Sequence, residues 1–129
     1  MDSIRVYLVD DSQDFLEAVS RFLKADPGVV IVGQARSGGD ALGQVTHLKP
    51  DLVLMDLAMP SMNGLEVTRR IKTEPDAPRV ILLTLHDNAE YRAAATSVSA
   101  DGFIPKSELG VQLMPMIHAI FADHTQVQP

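Results

Sequence analysis

Polar side chains of three kinds follow the short apolar runs of this chain. The runs span residues 4–9, 52–55, 80–83 and 103–104. The polar residues that come after them are, in order, Asp10 with Asp11, Asp56, Thr84 and, one residue beyond Pro105, Lys106. If the runs are parallel strands of one sheet, all five side chains lie at its carboxyl edge, where open α/β sheets build their sites. Three carboxylates, a hydroxyl and an ammonium group there predict a phosphoryl-transfer site built on an aspartate and a divalent metal.

The three aspartates have the chemistry that a magnesium site needs. Mg²⁺ prefers oxygen ligands and is usually held by one or two carboxylates together with a substrate phosphate. Carboxylates that are brought together raise one another's proton affinity, and a metal ion removes that penalty. A carboxylate can also attack phosphorus to form an aspartyl phosphate, provided that positive charge lies near the phosphoryl oxygens. Lys106 is the available cation, and Thr84 can donate its hydroxyl to another phosphoryl oxygen.

Each of these residues also has an ordinary structural explanation. An aspartate after a strand is commonly a turn residue, a threonine at a strand end reflects β-propensity, and a lysine is usually a solvated surface charge. Phe103, at the same edge, is also explicable as a core aromatic. Five residues that each follow a predicted strand are nevertheless poorly explained by coincidence, so we favour a common site.

Length and composition restrict the class of protein. A chain of 129 residues is one domain, and its 46% hydrophobic and 22% charged residues are ordinary for a globular protein. No apolar stretch approaches the roughly 20 residues that span a membrane, and the N-terminus lacks the features of a signal peptide. The absence of cysteine excludes disulfides and fits a cytoplasmic location. The net charge of −6 argues against direct DNA binding through phosphate contacts.

Hydrophobic periodicity predicts five strands that alternate with five helices. The predicted strands are residues 4–9, 29–32, 52–55, 80–83 and 102–104. The predicted helices follow Ser12, begin at Gly38, span about 65–73, span 88–98, and run from Leu109 to Ala122. Right-handed crossovers between parallel strands favour a doubly wound sheet with helices on both faces. The expected fold class is therefore α/β, with a five-stranded parallel sheet.

The residues of three predicted helices indicate how each helix packs, moves or tolerates a proline. In the first, the apolar residues at helical spacing are Phe15, Val19 and Phe22, with Leu16 and Leu23 beside them. Residues 88–98 are rich in alanine, so this helix has a thin apolar stripe and could shift at small energetic cost. The last helix carries Pro115, which its first or second turn would tolerate if the helix starts late.

The combined motifs resemble those of a receiver domain of a two-component response regulator. The matching segments are Val9-Asp10-Asp11, Met55-Asp56-Leu57, Met59-Pro60-Ser61-Met62-Asn63-Gly64, Thr84 and residues 102–106. Residues 32–35 and 38–42 further resemble the NarL/LuxR-like subfamily, whose members often carry a C-terminal helix-turn-helix. We therefore assign residues 1–122 to a receiver domain and 123–129 to a C-terminal tail or the start of a linker. The resemblance implies a flavodoxin-like (βα)5 fold with strand order 2-1-3-4-5.

The resemblance implies a role for each polar residue of the predicted site. Asp56 would be the phosphoacceptor, and Lys106 would bind a phosphoryl oxygen. Asp11, Asp56 and the backbone carbonyl of Ala58 would ligate Mg²⁺ directly, while Asp10 would act through water or as a weaker ligand. These roles come from the family pattern and are expectations for this chain.

The resemblance also implies a conformational switch and its tuning. Thr84 would move toward the phosphoryl group and Phe103 would rotate into the space that it leaves, with the alanine-rich helix between them as a moving element. Ala58 and His86, two residues after Asp56 and Thr84, would flank the path of the water that removes the phosphoryl group. Alanine leaves that path open, whereas His86 could orient the water or be a solvated loop residue.

One residue departs from the family pattern. Many members have a proline directly after the lysine, joined to it by a cis peptide bond, whereas Ser107 follows Lys106 in this chain. A cis bond without proline costs about 3 kcal/mol. The placement of Lys106 therefore stays open on the sequence alone.

The leading hypothesis is a signalling switch. A histidine kinase would phosphorylate Asp56, and the face formed by helix four, strand five and helix five would change its binding.

The output is either transcription, through a DNA-binding domain outside this chain, or protein contact by a stand-alone regulator. The resemblance also implies a homodimer on phosphorylation. A Mg²⁺-dependent phosphatase is less favoured, because such enzymes commonly need an aspartate where Ala58 stands. The complete set of site residues disfavours an inert receiver-like domain. We expect a phosphoacceptor rather than an enzyme, with no membrane partner.

Overall fold

The computed structural model describes residues 3–59 and 63–122 of the chain. Within these ranges five strands alternate with five helices, as the periodicity predicts. The strands are β1 (Ile4–Val9), β2 (Val29–Ala35), β3 (Leu52–Asp56), β4 (Arg79–Thr84) and β5 (Gly102–Pro105). The helices are α1 (Gln13–Lys24), α2 (Gly38–Leu48), α3 (Gly64–Ile71), α4 (Ala89–Ser97) and α5 (Leu109–Ile120), and a 3₁₀ turn spans Lys106–Glu108. Residues 60–62 of the loop motif and the predicted tail, 123–129, lie outside the described residues.

The five strands form one parallel sheet in the order β2-β1-β3-β4-β5. This order confirms the predicted doubly wound, flavodoxin-like fold. The chain winds one way from β1 to β2 and the other way from β3 onward, so the topological switch point lies between β1 and β3. In such sheets the crevice at the carboxyl ends of the strands is where ligands bind.

Helices cover both faces of the sheet. Successive strand residues point to opposite faces, so Tyr7 and Val9 of β1 pack with α2, α3 and α4, while Val6 and Leu8 pack with α1 and α5. The central strands are buried on both faces, which explains their almost uninterrupted apolar sequences. The two cores hold the strand ends, and therefore the candidate site, in a rigid frame.

The first helix buries a different set of side chains from the one that its phenylalanines indicate. Leu16, Val19 and Leu23 are buried, whereas Phe15 and Phe22 are only partly buried. The apolar stripe of α1 is therefore rotated by about one residue from the predicted face. This rotation leaves Phe15 near the carboxyl edge of the sheet, where it contacts the candidate site.

The second strand is longer than predicted. It continues through Gly33 and Gln34, which pair with Tyr7 and Leu8, and it ends at Ala35. The prediction stopped at Val32 because the apolar run stops there, but an edge strand needs apolar side chains on one face only. Gly33 also has a packing role, since a Cβ at this position would come within 2.8 Å of the Tyr7 ring.

The last helix confirms the predicted start at Leu109, so the late start that would have placed Pro115 in its earliest turns does not occur. It begins at Leu109, which places Pro115 inside the helix rather than in a late-starting first turn. Proline has no N–H to donate to the carbonyl of Val111, four residues earlier. The Val111 side chain is 75% exposed, so this turn of the helix faces solvent, where water can satisfy the carbonyl.

Helix α4 has the thin apolar stripe that its alanines predict. Ala95 is its one buried residue, while Tyr91 and Val98 are partly buried against the same core. Asn88 caps the helix by accepting a hydrogen bond from the Tyr91 amide at 2.8 Å. Among the described residues, no helix is both long and apolar enough to cross a membrane.

Candidate functional site

The carboxyl edge of the sheet brings the three predicted acidic residues together. β1 pairs with β3 so that Val9 lies opposite Met55, and the chain continues into Asp10 and Asp56 at neighbouring strand ends. One carboxylate oxygen each from Asp10, Asp11 and Asp56 lies within 4.8 Å of the other two. Asp10 and Asp56 are buried, and Asp11 is the more exposed member of the cluster.

Asp56 is a buried carboxylate with little compensation for its charge. The residue is 4% exposed, and its Oδ1 accepts one hydrogen bond from the backbone N–H of Ala58 at 3.3 Å. Burial and then the charge of Asp10 raise the pKa of Asp56 from its ordinary 3.8 to about 6, against the opposing effects of Lys106 and the Ala58 amide. A cation added beside this carboxylate would relieve the penalty that raises its pKa.

Lys106 reaches the acidic cluster although Ser107 stands where the family has proline. Its Nζ donates a hydrogen bond to Asp10 Oδ2 at 2.7 Å and lies 3.6 Å from Asp56 Oδ1. The peptide bonds of the described ranges are all trans, including the bond between Lys106 and Ser107. Lys106 starts the 3₁₀ turn after β5, and this turn aims its side chain at the cluster without a cis bond.

Asp10 is held at both carboxylate oxygens. Oδ2 accepts from Lys106, and Oδ1 accepts from the backbone N–H of Ser12 at 2.9 Å. Ser12 in turn caps α1, because its Oγ accepts a hydrogen bond from the Phe15 amide at 3.2 Å. The start of α1 is therefore tied directly to the acidic cluster.

The two residues predicted to form a switch lie on neighbouring strands. Thr84 ends β4 and is 2% exposed, and Phe103 of β5 is 9% exposed. The Thr84 hydroxyl donates to the His86 carbonyl at 3.1 Å and accepts from the His86 amide at 3.0 Å. In this arrangement the hydroxyl is engaged by its own loop rather than directed to Asp56.

The comparison with known families identifies the chain. Residues 6–118 match the family described as "Response regulator receiver domain". The chain belongs to this family. It is 33% identical over 127 residues to the response regulator GacA of Pseudomonas viridiflava, a match that covers 98% of this chain and 59% of GacA. It is 38% identical over 112 residues to protein-glutamate methylesterase/protein-glutamine glutaminase 4 of Myxococcus xanthus (strain DK1622), covering 82% of this chain and 32% of that protein.

Solved structures agree with this assignment. A two-component response regulator of the LuxR family from Aurantimonas sp. SI85-9A1 superposes with a TM-score of 0.88 at 32% identity, covering 95% of this chain and 87% of that one. This likeness confirms the predicted receiver family and its NarL/LuxR-like character. The receiver domain spans less than two thirds of the length of the two relatives named above.

The acidic cluster of the receiver domain fits a divalent metal ion. Its three donors are carboxylate oxygens, the ligand type that hard cations such as Mg²⁺ prefer. Burial and then the charge of Asp10 raise the pKa of Asp56, so a cation beside this carboxylate would stabilise its charged form. We conclude that the residues present could hold a metal at this edge.

Two residues of the receiver site were not predicted from the sequence. The Lys106 ammonium lies 4.1 Å from the centre of the Phe15 ring, and the Arg36 guanidinium donates to the Asp11 carbonyl from Nε at 3.2 Å and from Nη2 at 3.0 Å. Phe15 was assigned to the apolar face of α1. Arg36 directly follows Ala35, so the rule that polar residues after strands form the site would have found it, had β2 been predicted at its full length.

The start of α3 approaches the main chain of Asp56 so closely that only glycine fits. A Cβ on Gly64 would collide with the backbone carbonyl oxygen of Asp56. The Gly64 amide donates to the Leu57 carbonyl at 2.7 Å, and Asn63 caps α3 by accepting from the Glu66 amide at 2.9 Å. The last two residues of the family-like segment 59–64, Asn63 and Gly64, therefore begin a helix that packs against the site.

The two residues predicted to tune dephosphorylation are both exposed. Ala58 lies just beyond Asp56 and offers its N–H to that carboxylate, while the His86 main chain holds the Thr84 hydroxyl. Their effect on an attacking water stays a prediction.

Proposed function

We propose that this receiver domain accepts a phosphoryl group from a histidine kinase at Asp56. The observation that carries the proposal is the buried Asp56 carboxylate, flanked by two further aspartates and by the Lys106 ammonium. In the transfer, the N–P bond of a phosphohistidine breaks as an O–P bond forms at the Asp56 carboxylate. The imidazole departs as a neutral ring, because its other nitrogen carries a proton.

The metal of this proposal is Mg²⁺, which Asp11, Asp56 and the backbone carbonyl of Ala58 would hold directly, with Asp10 acting through water or as a weaker ligand. When bound, Mg²⁺ supplies positive charge that neutralises the charge on the phosphoryl oxygens. The chemistry of the donors supports this choice, since all are hard oxygen ligands.

Lys106 exchanges partners during this reaction. Its Nζ is 2.7 Å from Asp10 in the unphosphorylated domain, and it turns to a phosphoryl oxygen once Asp56 is modified. A lysine suits this exchange because its ammonium is a compact charge with three rotatable donors. The 3.6 Å separation from Asp56 Oδ1 supports the proposal, because a small movement of a flexible side chain is sufficient.

The phosphoryl group then changes the protein through Thr84 and Phe103. The Thr84 hydroxyl leaves the His86 main chain and donates to a phosphoryl oxygen, and Phe103 takes the space that opens. The face formed by α4, β5 and α5 presents a changed surface as a result. Two large apolar residues on the elements concerned are exposed, namely Leu85 of the loop before α4 at 77% and Val111 of α5 at 75%.

The output of the switch is proposed from the relatives. We infer that the domain acts in the cytoplasm and controls transcription through a C-terminal DNA-binding domain, as a LuxR-family likeness favours. A stand-alone regulator that works by protein contact is the second candidate. In either form the domain is a phosphoacceptor and not a phosphatase that turns over substrates. For the first candidate, the transcriptional regulator, we also propose that phosphorylation produces a homodimer.

Intact mass spectrometry tests the proposal. The purified chain is incubated with a small-molecule phosphodonor, such as acetyl phosphate, with and without Mg²⁺. We expect one phosphoryl addition that requires Mg²⁺ and is absent in Asp56→Asn. An addition that persists in Asp56→Asn, or no addition to a folded wild-type protein even with a kinase, contradicts the assignment. Turnover of a phosphomonoester would support an enzyme instead.

A further inference from the structure

Arg92 of α4 makes two contacts that join separate parts of the receiver domain. Its Nε and Nη2 donate to the two carboxylate oxygens of Asp87 at 2.7 and 3.0 Å, and the centre of its guanidinium lies 4.7 Å from the centre of the Phe103 ring. The paired hydrogen bonds hold the pKa of Asp87 below its ordinary value. One side chain therefore connects the loop before α4 with the aromatic residue of β5.

The same loop holds the other member of the predicted switch. Asp87 directly follows His86, whose backbone exchanges two hydrogen bonds with the Thr84 hydroxyl. The contacts thus run without a break from Thr84 through the loop to Arg92 and on to Phe103. Both switch residues are attached to one connected structure in the unphosphorylated domain.

We propose that Arg92 is a positioning residue that holds the switch in its resting arrangement. The proposal rests on the function proposed above, because it assigns Arg92 a role in the response to the phosphoryl group on Asp56. When the Thr84 hydroxyl turns to that group, it leaves His86 and the loop loses its anchor. When Phe103 rotates, its ring leaves the guanidinium. The rotation of Phe103 therefore breaks a contact that Arg92 makes in the resting state. The movement of Thr84 releases the loop that Arg92 holds through Asp87.

The thin packing of α4 makes this restraint important. Ala95 is the one buried residue of the helix, so few apolar contacts oppose its movement. A cation over an aromatic ring contributes about 0.5–1 kcal/mol at exposed sites. Because apolar packing of α4 is weak, an interaction of this size is a larger share of the free-energy difference between the resting and the switched arrangement.

An ordinary surface ion pair is the simpler explanation, and the chain contains a matched example. Arg69 of α3 also makes a two-pronged contact with a carboxylate, through Nε at 3.1 Å and Nη2 at 2.6 Å to Glu66. The exposure is similar, 58% for the Arg69 side chain and 51% for that of Arg92. Glu66 also accepts a hydrogen bond from Arg70 at 2.9 Å, and exposed pairs of this kind contribute little. Arg92 differs because its guanidinium also covers Phe103.

The test measures how tightly the domain binds beryllofluoride, a mimic of the phosphoryl group, in the presence of Mg²⁺. Amide resonances of His86 and Phe103 are followed by NMR in wild type, Arg92→Ala and Arg69→Ala, which loses the same charge. We expect Arg92→Ala to bind about two- to fivefold more tightly, since the contact that it loses favours the resting state. Its resonances should already lie partly toward the bound positions before the mimic is added. Arg92→Lys, which keeps the charge without the planar group, should fall between.

The outcomes separate the two proposals. If folded Arg92→Ala binds the mimic with wild-type or weaker affinity and its resonances have not moved, the role of Arg92 is overturned. The proposed function is unaffected by that result. An equal gain in affinity for beryllofluoride in Arg69→Ala would also overturn the role of Arg92, because the loss of one positive charge would then explain the effect. If the wild-type protein does not bind the mimic, or binds it independently of Asp56, both the proposed function and this inference are overturned.

Discussion

Asp56, the proposed phosphoacceptor, lies in an environment that is unfavourable for a charged carboxylate. The carboxylate is 4% exposed and lies beside two other aspartates, so its charged form is destabilised and its pKa rises to about 6. The Lys106 ammonium offsets only part of this charge. The same environment favours the arrival of a cation and the transfer of negative charge to a phosphoryl group.

The raised pKa of Asp56 predicts how stability depends on pH. A carboxyl group with a folded pKa of about 6 and an ordinary value of 3.8 favours the folded state below pH 4 and loses that contribution as the pH rises to about 6. Asp56→Asn has no charge to bury, so we expect it to be more stable than wild type at pH 7.5 by about 3 kcal/mol without divalent cations. Urea unfolding measures this difference.

At pH 4 the two proteins should unfold at nearly the same urea concentration, because Asp56 is then protonated in the native state. Asp56→Asn that is less stable than wild type at pH 7.5 would show that burial does not destabilise this carboxylate.

Phe15 should position Lys106 through its ring. The ammonium lies 4.1 Å from the ring centre, and a cation–π contact of this type is worth about 0.5–1 kcal/mol or more. We expect Phe15→Leu to slow phosphorylation by a small-molecule donor about two- to fivefold, with unchanged Mg²⁺ affinity. Phe22→Leu is the matched control, because Phe22 is also a partly buried phenylalanine of α1 and packs on the core. Equal phosphorylation rates for both variants would show that Phe15 does not position Lys106.

At the scale of the elements, helix starts surround the site. Each of α1 to α4 begins with a side-chain cap that bonds to an amide of the first turn, and the caps are Ser12, Ser37, Asn63 and Asn88. The caps end the loops that follow the strands, so they set where each loop stops and each helix begins.

The contact between α3 and β3 should make Gly64 intolerant of a side chain. A Cβ at Gly64 would collide with the Asp56 carbonyl oxygen, which belongs to rigid backbone. We expect Gly64→Ala to lower the free energy of unfolding by about 1–3 kcal/mol and to weaken Mg²⁺ binding, since relief of the clash moves the main chain of Asp56. Chemical denaturation and Mg²⁺ titration measure the two effects.

Gly39→Ala is the control for that substitution. Gly39 lies in the first turn of α2, and a Cβ there would have no atom within 4 Å. Alanine at this position should leave stability unchanged or raise it by up to about 1 kcal/mol. A similar loss of stability in both variants would mean that the close approach of Gly64 to the Asp56 carbonyl is not its cause.

At the scale of the whole molecule, metal binding should stabilise the fold. A ligand that binds only the folded state adds about 2.7 kcal/mol at 100 times its Kd. The acidic cluster draws its members from β1 and β3, which pair only in the folded sheet. We expect Mg²⁺ to raise the unfolding temperature above that in NaCl of equal ionic strength. An Asp11→Asn variant that responds equally to Mg²⁺ would place the ion elsewhere on this acidic protein.

The family and the strand framework could be predicted from the sequence because their signals are local. Each central strand is an apolar run that is buried on both faces, and such a run shows in the residues themselves. Asp10, Asp56, Thr84 and Lys106 each follow a strand, so the parallel sheet necessarily brings them to one edge. The length of β2 was missed because an edge strand can carry polar residues.

The contacts of the site depended on the tertiary structure. Nothing local to α1 shows that Phe15 faces Lys106, since the direction of a helix face is set by how its neighbours Leu16 and Leu23 pack on the sheet. The position of Arg92 over Phe103 likewise depends on how α4 and β5 lie against each other. The hydrogen bonds of Thr84 with His86 are local to the loop after β4. Sequence determines which groups reach the edge of the sheet. Packing between distant elements decides which of them touch, because side-chain contacts depend on the relative placement of those elements.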